Sequence, residues 1–330
     1  MSFRFNIFNQ VINAKPYLSD PYFYRGLAKI NLDDFQGAES DCSEAIERNP
    51  FVVSAYQVRG LARIQQNNFA GAIEDYTKAL EFDPENIGVW HNMALCRIRQ
   101  EDYKGAKNDL DKLIAISPRY TKAYLMRGEV DLKQKDTLAA EKDFGKAIEI
   151  DRYDADTWAS RAILRLQQQR YKDAEADFDH AIRLSTRNSG VYINRALARY
   201  HQNNLRGAMS DYDIALDIDP NNFIGHYNRG LLRAQVGDDN RAIQDFNFVI
   251  EMEPDNMMAI FNRGLLLDQT GDYKGAIKDY STVINEYPNF LLGYQYRAQA
   301  RRKIGDVKGA DADEFKVLKA QLDKTERSRS

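Results

Sequence analysis

The chain has 330 residues, with 46 Lys and Arg, 49 Asp and Glu, and a formal net charge of −3. This balance lacks the strongly basic surface that binding of nucleic acid or an anionic membrane requires. No stretch is apolar for long enough to span a bilayer, and the opening residues MSFRFNIFNQ are not a secretory signal. We expect a soluble protein with no nucleic-acid partner and no membrane insertion. The sequence does not specify the compartment. We take it as cytoplasmic by default, and as extracytoplasmic if a signal peptide was removed upstream of residue 1.

Prolines mark an internal period of 34 residues, because seven of the eight prolines lie on one grid of that spacing. A proline ends a helix, since it cannot donate to the preceding turn and clashes with it. Arg152 and Thr186 occupy the two skipped grid points. A fixed period of this size predicts stacked repeats, in which each unit packs only on its neighbours. The grid prolines are Pro16, Pro50, Pro84, Pro118, Pro220, Pro254 and Pro288.

The first segment, residues 1–18, matches only the second half of a unit, because FNQVINAKP at 8–16 parallels YSTVINEYP at 280–288. We expect a half-repeat with one helix, which leaves Phe3, Phe5 and Phe8 without an upstream helix to pack on. One interpretation is that the chain is a segment of a longer protein. The other is that these aromatic side chains dock on another chain, as exposed apolar patches often do.

Nine units follow when each grid proline occupies position 32, and residues 325–330 form a polar tail. Each unit predicts two helices separated by turn-forming residues at positions 15 and 16, such as Asn67-Asn68 and Gly271-Asp272. Position 20 is always Ala and position 8 is always Gly or Ala, which leaves room for the aromatic residues at positions 4 and 24. The units are 19–52, 53–86, 87–120, 121–154, 155–188, 189–222, 223–256, 257–290 and 291–324.

This spacing of aromatic residues, small residues and proline over 34 residues resembles the tetratricopeptide repeat (TPR). The resemblance covers residues 19 to about 318. It implies an all-α fold, a right-handed superhelical solenoid of nine helix-turn-helix units after the half-repeat. The last unit departs from the pattern, since Glu314 takes the aromatic place at position 24. This departure weakens the assignment of the second helix of that unit beyond Ala310.

Charged residues recur with the same period: position 23 is always aspartate, and position 7 is arginine except at Met93. One interpretation is a ribbon of cations for an anionic ligand. The other, which we favour, is a ladder of Arg–Asp pairs within or between adjacent repeats, because unpaired buried charge would be costly at every repeat. The ladder positions that we single out are Arg195, Arg229, Arg263, Asp177, Asp211, Asp245 and Asp279.

The family resemblance places positions 2, 5, 6, 9, 12 and 13 of each first helix on a concave face. Position 6 carries asparagine in four units, and an asparagine amide can both donate to and accept from an extended peptide backbone. This pattern is similar to the asparagine ladder with which some TPR proteins hold peptides. The alternative is that asparagine only keeps an exposed face soluble. The predicted peptide contacts are Asn92, Asn194, Asn228, Asn262, Ile193, Tyr227, Phe261, His201, Gln235 and Gln269.

The sequence carries no signal of catalysis. Its four histidines lack metal-ligand spacing, and it contains no phosphate-binding glycine loop or nucleophile elbow. The carboxylate clamp of some TPR proteins is missing too, since position 5 contains no lysine. Cys42 and Cys96 occupy core positions of units that do not touch, which predicts two buried free thiols. We expect no catalytic residue, metal or cofactor.

The sequence therefore predicts a non-catalytic scaffold for protein–protein interaction, which binds an extended peptide or partner segment in its concave groove. Two alternatives stay open. One is a subunit that self-associates through Phe3, Phe5 and Phe8. The other is the regulatory or substrate-binding segment of a longer enzyme.

Overall fold

The structure is a computed structural model that describes residues 2–327, with side chains for residues 6–322. The chain divides at Leu164 and Arg165 into an N-terminal half and a C-terminal half. Every regular element in the described range is an α-helix. The helices of the N-terminal half are α1 (Ser2–Ala14), α2 (Asp20–Ile30), α3 (Phe35–Arg48), α4 (Val53–Gln65), α5 (Phe69–Phe82), α6 (Ile87–Arg99), α7 (Tyr103–Ile116), α8 (Thr121–Lys133) and α9 (Thr137–Ile150).

Helix α10 (Ala155–Gln167) spans the division between the halves. The helices of the C-terminal half are α11 (Tyr171–Leu184), α12 (Ser189–His201), α13 (Leu205–Ile218), α14 (Phe223–Gln235), α15 (Asp239–Met252), α16 (Met257–Gln269), α17 (Tyr273–Glu286), α18 (Leu291–Lys303) and α19 (Val307–Arg327).

Consecutive helices pack in pairs within each half. In the C-terminal half, α12 packs on α13, α14 on α15, α16 on α17 and α18 on α19, and the second helix of each pair contacts the first helix of the next. The N-terminal half repeats this arrangement from α2 to α9, with α1 packed on α2. The predicted all-α stacking of helix pairs is confirmed.

A left-handed residue at position 15 separates the two helices of a repeat. Its φ is 61° at Asn203 and 92° at Gly271, a region that Gly and Asn tolerate. In most repeats the next residue caps the following helix: the carboxylate of Asp272, for example, accepts from the backbone N–H of Gly275. Three other residues have the same positive φ without a turn signal in their side chains, namely Glu101, Lys135 and Gln169.

Helix ends at the repeat boundary do not depend on proline. Helix α13 ends at Ile218, two residues before Pro220, and α11 ends at the same repeat position although Thr186 replaces the proline. Proline is therefore not required for a helix to end at this position of the repeat.

Small residues allow the two helices of a pair to approach closely. A methyl group added at Gly264 would lie 2.9 Å from the ring of Tyr280, so this position accepts only glycine without movement of the ring. Cys42 and Cys96 are free and buried, as expected. Burial raises the pKa of the Cys96 thiol to about 11, which keeps it protonated and unreactive at neutral pH.

The two ends of the chain differ from the expectation in part. Helix α19 continues through Glu314 to Arg327, so the last unit has its second helix despite the missing aromatic residue, and this helix enters the predicted polar tail. Residues 311–327 contain neither Gly nor Pro, and Glu314 pairs with Arg302. At the other end, Phe8 stacks on Tyr24 of α2, while the side chains of Phe3 and Phe5 lie outside the described residues.

Candidate functional site

The candidate site is the surface formed by α12, α14 and α16, the first helices of three successive pairs, which we name the A-helix face. Asparagine caps fix where each helix begins: Asn188, Asn222 and Asn256 accept from the third backbone N–H that follows each of them. Position 6 therefore falls at the same height on each helix. The face carries Asn194, Asn228 and Asn262 there, all half-buried.

The three asparagines differ in their hydrogen bonds. The Nδ2 of Asn262 donates to the hydroxyl of Tyr227 at 3.2 Å, which ties α16 to α14. Among the described residues, the amides of Asn194 and Asn228 have no hydrogen-bond partner. A half-buried amide without a partner is costly unless water or a ligand satisfies it. Within the described residues, these two amides therefore have all of their donors and acceptors unused.

Tyr227 links the face to the core beneath it. Its ring lies edge-on to Phe246 at 5.8 Å, and burial raises the pKa of its hydroxyl, an effect that the hydrogen bond from Asn262 partly offsets. The hydroxyl is therefore protonated at neutral pH and can donate to a partner while it accepts from Asn262.

Two of the predicted apolar contacts belong mainly to the core. Phe261 is 8% exposed and packs edge-on against Phe290 at 5.0 Å, and Ile193 is 7% exposed. The prediction that they contact a peptide was based only on the helix face on which they lie. At position 5 the neighbouring repeat covers the side chain, as the close approach of Ile193 to Gly225 shows. Little of either residue is available to a partner.

The remaining predicted contacts lie away from Asn194, Asn228 and Asn262. Gln235 and Gln269 are exposed at the C-terminal ends of α14 and α16. His201 ends α12, and its ring stacks on Tyr171 at 4.6 Å. Asn92 lies on α6 of the N-terminal half, half-buried and close to the Tyr76 hydroxyl.

The arginines of position 7 pair with aspartates within and between helix pairs. Arg195 donates to Asp211 of its own pair through Nε and Nη2, at 3.0 and 2.6 Å, and to Asp179 of the preceding pair through Nη1 at 2.7 Å. Arg229 and Arg263 bind Asp245 and Asp279 in the same way. Asp177 pairs with Arg165 at 2.7 Å. Guanidinium groups engaged on three sides offer little to an anionic ligand.

Apolar residues at position 2 are the feature that the prediction missed. Ile224, Met258 and Leu292 occupy it in three successive repeats and are 50%, 59% and 50% exposed. Two cavities open beside Met258, of about 380 and 270 Å³. The signal was present in the sequence, because none of the six preceding repeats has a large apolar residue at this position.

Within the part of the chain that the structure describes, no three His, Cys, Asp or Glu side chains are grouped as metal ligands. No helix in the same part is long and apolar enough to cross a membrane.

Family models match most of the chain. A TPR repeat model matches residues 60–96, and two tetratricopeptide repeat models match residues 87–120 and 121–154, and residues 160–223 and 227–289. No curated protein matches the sequence.

Solved structures of similar fold include a tetratricopeptide repeat protein from Parabacteroides merdae, 21% identical with a TM-score of 0.57, over 76% of this chain and 98% of that one. The C-terminal part of a TPR repeat-containing protein from Cytophaga hutchinsonii is 17% identical with a TM-score of 0.59, over 72% and 97% of the two chains. The pilF protein of Pseudomonas aeruginosa is 19% identical with a TM-score of 0.55, over 66% and 97%. At these identities the likeness concerns the fold alone.

Proposed function

The chain belongs to the tetratricopeptide repeat family, a scaffold for protein–protein interaction, and on that premise we propose that it binds an extended peptide or partner segment on its A-helix face, without catalysis. The bound segment lies across α12, α14 and α16. Its backbone is held by asparagine amides, and its side chains contact the apolar groups beside them.

The observation that carries the proposal is that the amides of Asn194 and Asn228, one repeat apart on α12 and α14, have no hydrogen-bond partner among the described residues. An extended backbone presents one N–H and one C=O per residue, and an amide can satisfy one of each. Each such hydrogen bond contributes about 0.5–1.5 kcal/mol net. Because the partners are backbone atoms, the interaction tolerates different side-chain sequences.

Asn262 has a different role in this proposal. Its hydrogen bond to Tyr227 orients both side chains and leaves the amide oxygen of Asn262 and the hydroxyl proton of Tyr227 for the ligand. We therefore expect Asn262→Ala to weaken binding less than substitution of the two unpartnered asparagines.

The test uses a phage-displayed library of random linear peptides selected on the full chain, followed by affinity measurements on the selected peptides. The double variant Asn194→Ala and Asn228→Ala is expected to lose at least about tenfold in affinity for every selected peptide, since two hydrogen bonds are removed. Thermal unfolding of the variant is expected to change little, because neither amide has a partner among the residues that the structure describes.

The matched control is Asn240→Ala with Asn285→Ala, two exposed asparagines on the second helices α15 and α17. It removes the same chemical groups from the opposite layer, and affinity should not change. Equal affinities for the wild type and for the Asn194 and Asn228 double variant would contradict the proposal.

A further inference from the structure

The two cavities beside Met258 adjoin each other in the C-terminal half, and together they form one apolar site. The first is lined by Met257, Met258, Phe261, Val283, Tyr287 and Phe290, together with Asp255 and Asn256. The second is lined by Phe223, Ile224 and Tyr227, and it shares Asn256 and Met258 with the first. Met258 is therefore the ridge between them. Methionine is unbranched and polarizable, so a ridge of this kind adapts to different apolar side chains.

Acidic residues lie close to these cavities in the sequence. The segments 213–228, 242–262 and 279–296, which contain every lining residue, hold no Lys or Arg. Asp255 lines the first cavity, and Glu253 contacts its edge by accepting from the Nδ2 of Asn256 at 3.0 Å. Asp219 accepts from the Nδ2 of Asn222, the residue before Phe223 of the second cavity, at 3.1 Å.

Three carboxylates near the first cavity have no cationic partner among the described side chains. Glu251, Asp255 and Glu286 are exposed, and no ion pair engages them among the described side chains. Glu286 directly precedes Tyr287 of the first cavity. Their combined field extends about 8–10 Å at physiological salt, which is far enough to act on a segment seated in the cavities.

We propose that this site binds a partner segment that carries two large apolar side chains and is flanked by Lys or Arg. The apolar side chains enter the two cavities, and the cations lie among the carboxylates around them. The proposal rests on the proposed function, because the cavities continue the A-helix face beyond Tyr227. It adds the class of partner that the asparagine amides alone do not specify.

The spacing of the apolar side chains follows from the repeat. The cavities occupy equivalent places beside α14 and α16, and packed neighbouring helices lie about 8–10 Å apart. An extended polyproline-II segment presents the same face every three residues, over about 9 Å. The matching motif is therefore an apolar residue, two residues of any type, and a second apolar residue.

The test compares three synthetic peptides by fluorescence anisotropy against the full chain. One carries Leu-Ala-Ala-Phe between pairs of lysines, the second replaces the lysines by glutamates, and the third replaces Leu and Phe by Ser. The affinity of the first peptide is expected to exceed that of either other peptide by at least about tenfold. Added salt should reduce the difference in affinity between the lysine peptide and the glutamate peptide.

Two substitutions locate the site. Met258→Ser is expected to lower the affinity for the lysine peptide about tenfold. The control Met252→Ser changes a methionine that is 54% exposed and lines neither cavity, and it should have no effect. Both side chains are exposed, so both variants should fold. Asp255→Asn with Glu286→Gln should reduce the preference for lysine over glutamate.

The outcomes separate this inference from the proposed function. If peptides bind in a manner that depends on Asn194 and Asn228 but not on Met258 or on peptide charge, the site assignment is overturned and the proposed function stands. If no peptide binds the wild type, both are overturned. If the mass of the chain alone rises with concentration and Met258→Ser abolishes this rise, the occupant is a second copy, and the partner assignment is overturned.

Discussion

Arg195 and Asp211 form a two-pronged ion pair between α12 and α13, with Nε–Oδ2 and Nη2–Oδ1 distances of 3.0 and 2.6 Å. Asp211 also accepts from Arg199 at 2.9 Å, and its carboxylate is almost fully buried. Two cations thus share this aspartate, and each has one further carboxylate partner, Asp179 for Arg195 and Glu175 for Arg199.

Replacement of Asp211 by Ala should therefore destabilise the fold strongly. It removes the buried counter-charge between Arg195 and Arg199, and breaking a buried pair costs up to about 3–5 kcal/mol, a loss that the remaining pairs with Asp179 and Glu175 reduce. Chemical denaturation of the variant measures the loss, and affinity for peptides selected on the wild type should not change below the unfolding temperature. An unchanged free energy of unfolding would contradict the structural role of the ladder.

Asp109 is the ladder aspartate whose position-7 partner is Met93 instead of arginine. Burial raises the pKa of Asp109 to about 6, and Arg97 only partly opposes this rise. The folded pKa lies above the unfolded value of about 3.9, so the native state binds the proton more tightly. The contribution of Asp109 to the free energy of unfolding therefore falls as the pH rises from about 4 to above 6.

Met93→Arg should remove much of this loss by supplying the missing cation. The free energy of unfolding of the variant, relative to that of the wild type, should rise by about 1–2 kcal/mol between pH 4 and pH 7. Comparing the two pH values cancels the packing cost of replacing a buried methionine. A difference that is the same at both pH values would show that the ionisation of Asp109 is not involved.

The caps of the second helices provide a matched pair of substitutions. Asp272 accepts from the backbone N–H of Gly275, whereas Asp238 stands at the equivalent place and makes no cap hydrogen bond. Asp272→Ala should lower the free energy of unfolding by about 1 kcal/mol. Asp238→Ala should lower it by less. Equal losses, measured by urea denaturation, would rule out the cap hydrogen bond as the cause.

Thr186 occupies a grid point where most repeats have proline. The preceding residue, Ser185, has φ −143° and ψ 108°, close to the values of −133° and 87° at Asp219 before Pro220. This extended conformation is the one that proline requires of its predecessor. Thr186→Pro should raise the free energy of unfolding by about 0.4–1 kcal/mol by restricting the unfolded chain. A lower unfolding temperature would indicate that Thr186 does not share the backbone of Pro220.

The order of the helices follows from the sequence because proline, alanine and turn residues recur on one period. At Glu101, Lys135 and Gln169 the left-handed turn is indicated only by their place in the period, since their own side chains give no turn signal. In helix α19 a residue of the repeat pattern is missing, and the helix is still regular: it has Glu314 where most repeats have an aromatic residue.

The candidate site could be predicted only in part. Helical periodicity placed the asparagines on one face, but it could not show that Asn262 reaches Tyr227 while Asn194 and Asn228 have no partner. That distinction depends on the distance between neighbouring helices. The same distance buries Phe261 and Ile193, and it opens the cavities beside Met258.

The most direct test of the central claim is nuclear magnetic resonance of the side-chain amides of Asn194 and Asn228 in the nitrogen-labelled chain, assigned by single substitution. Titration with a selected peptide should shift both amide signals and slow the exchange of their protons with water, while those of Asn240 and Asn285 stay in place. A bound peptide that leaves the signals of Asn194 and Asn228 unchanged would contradict the claim.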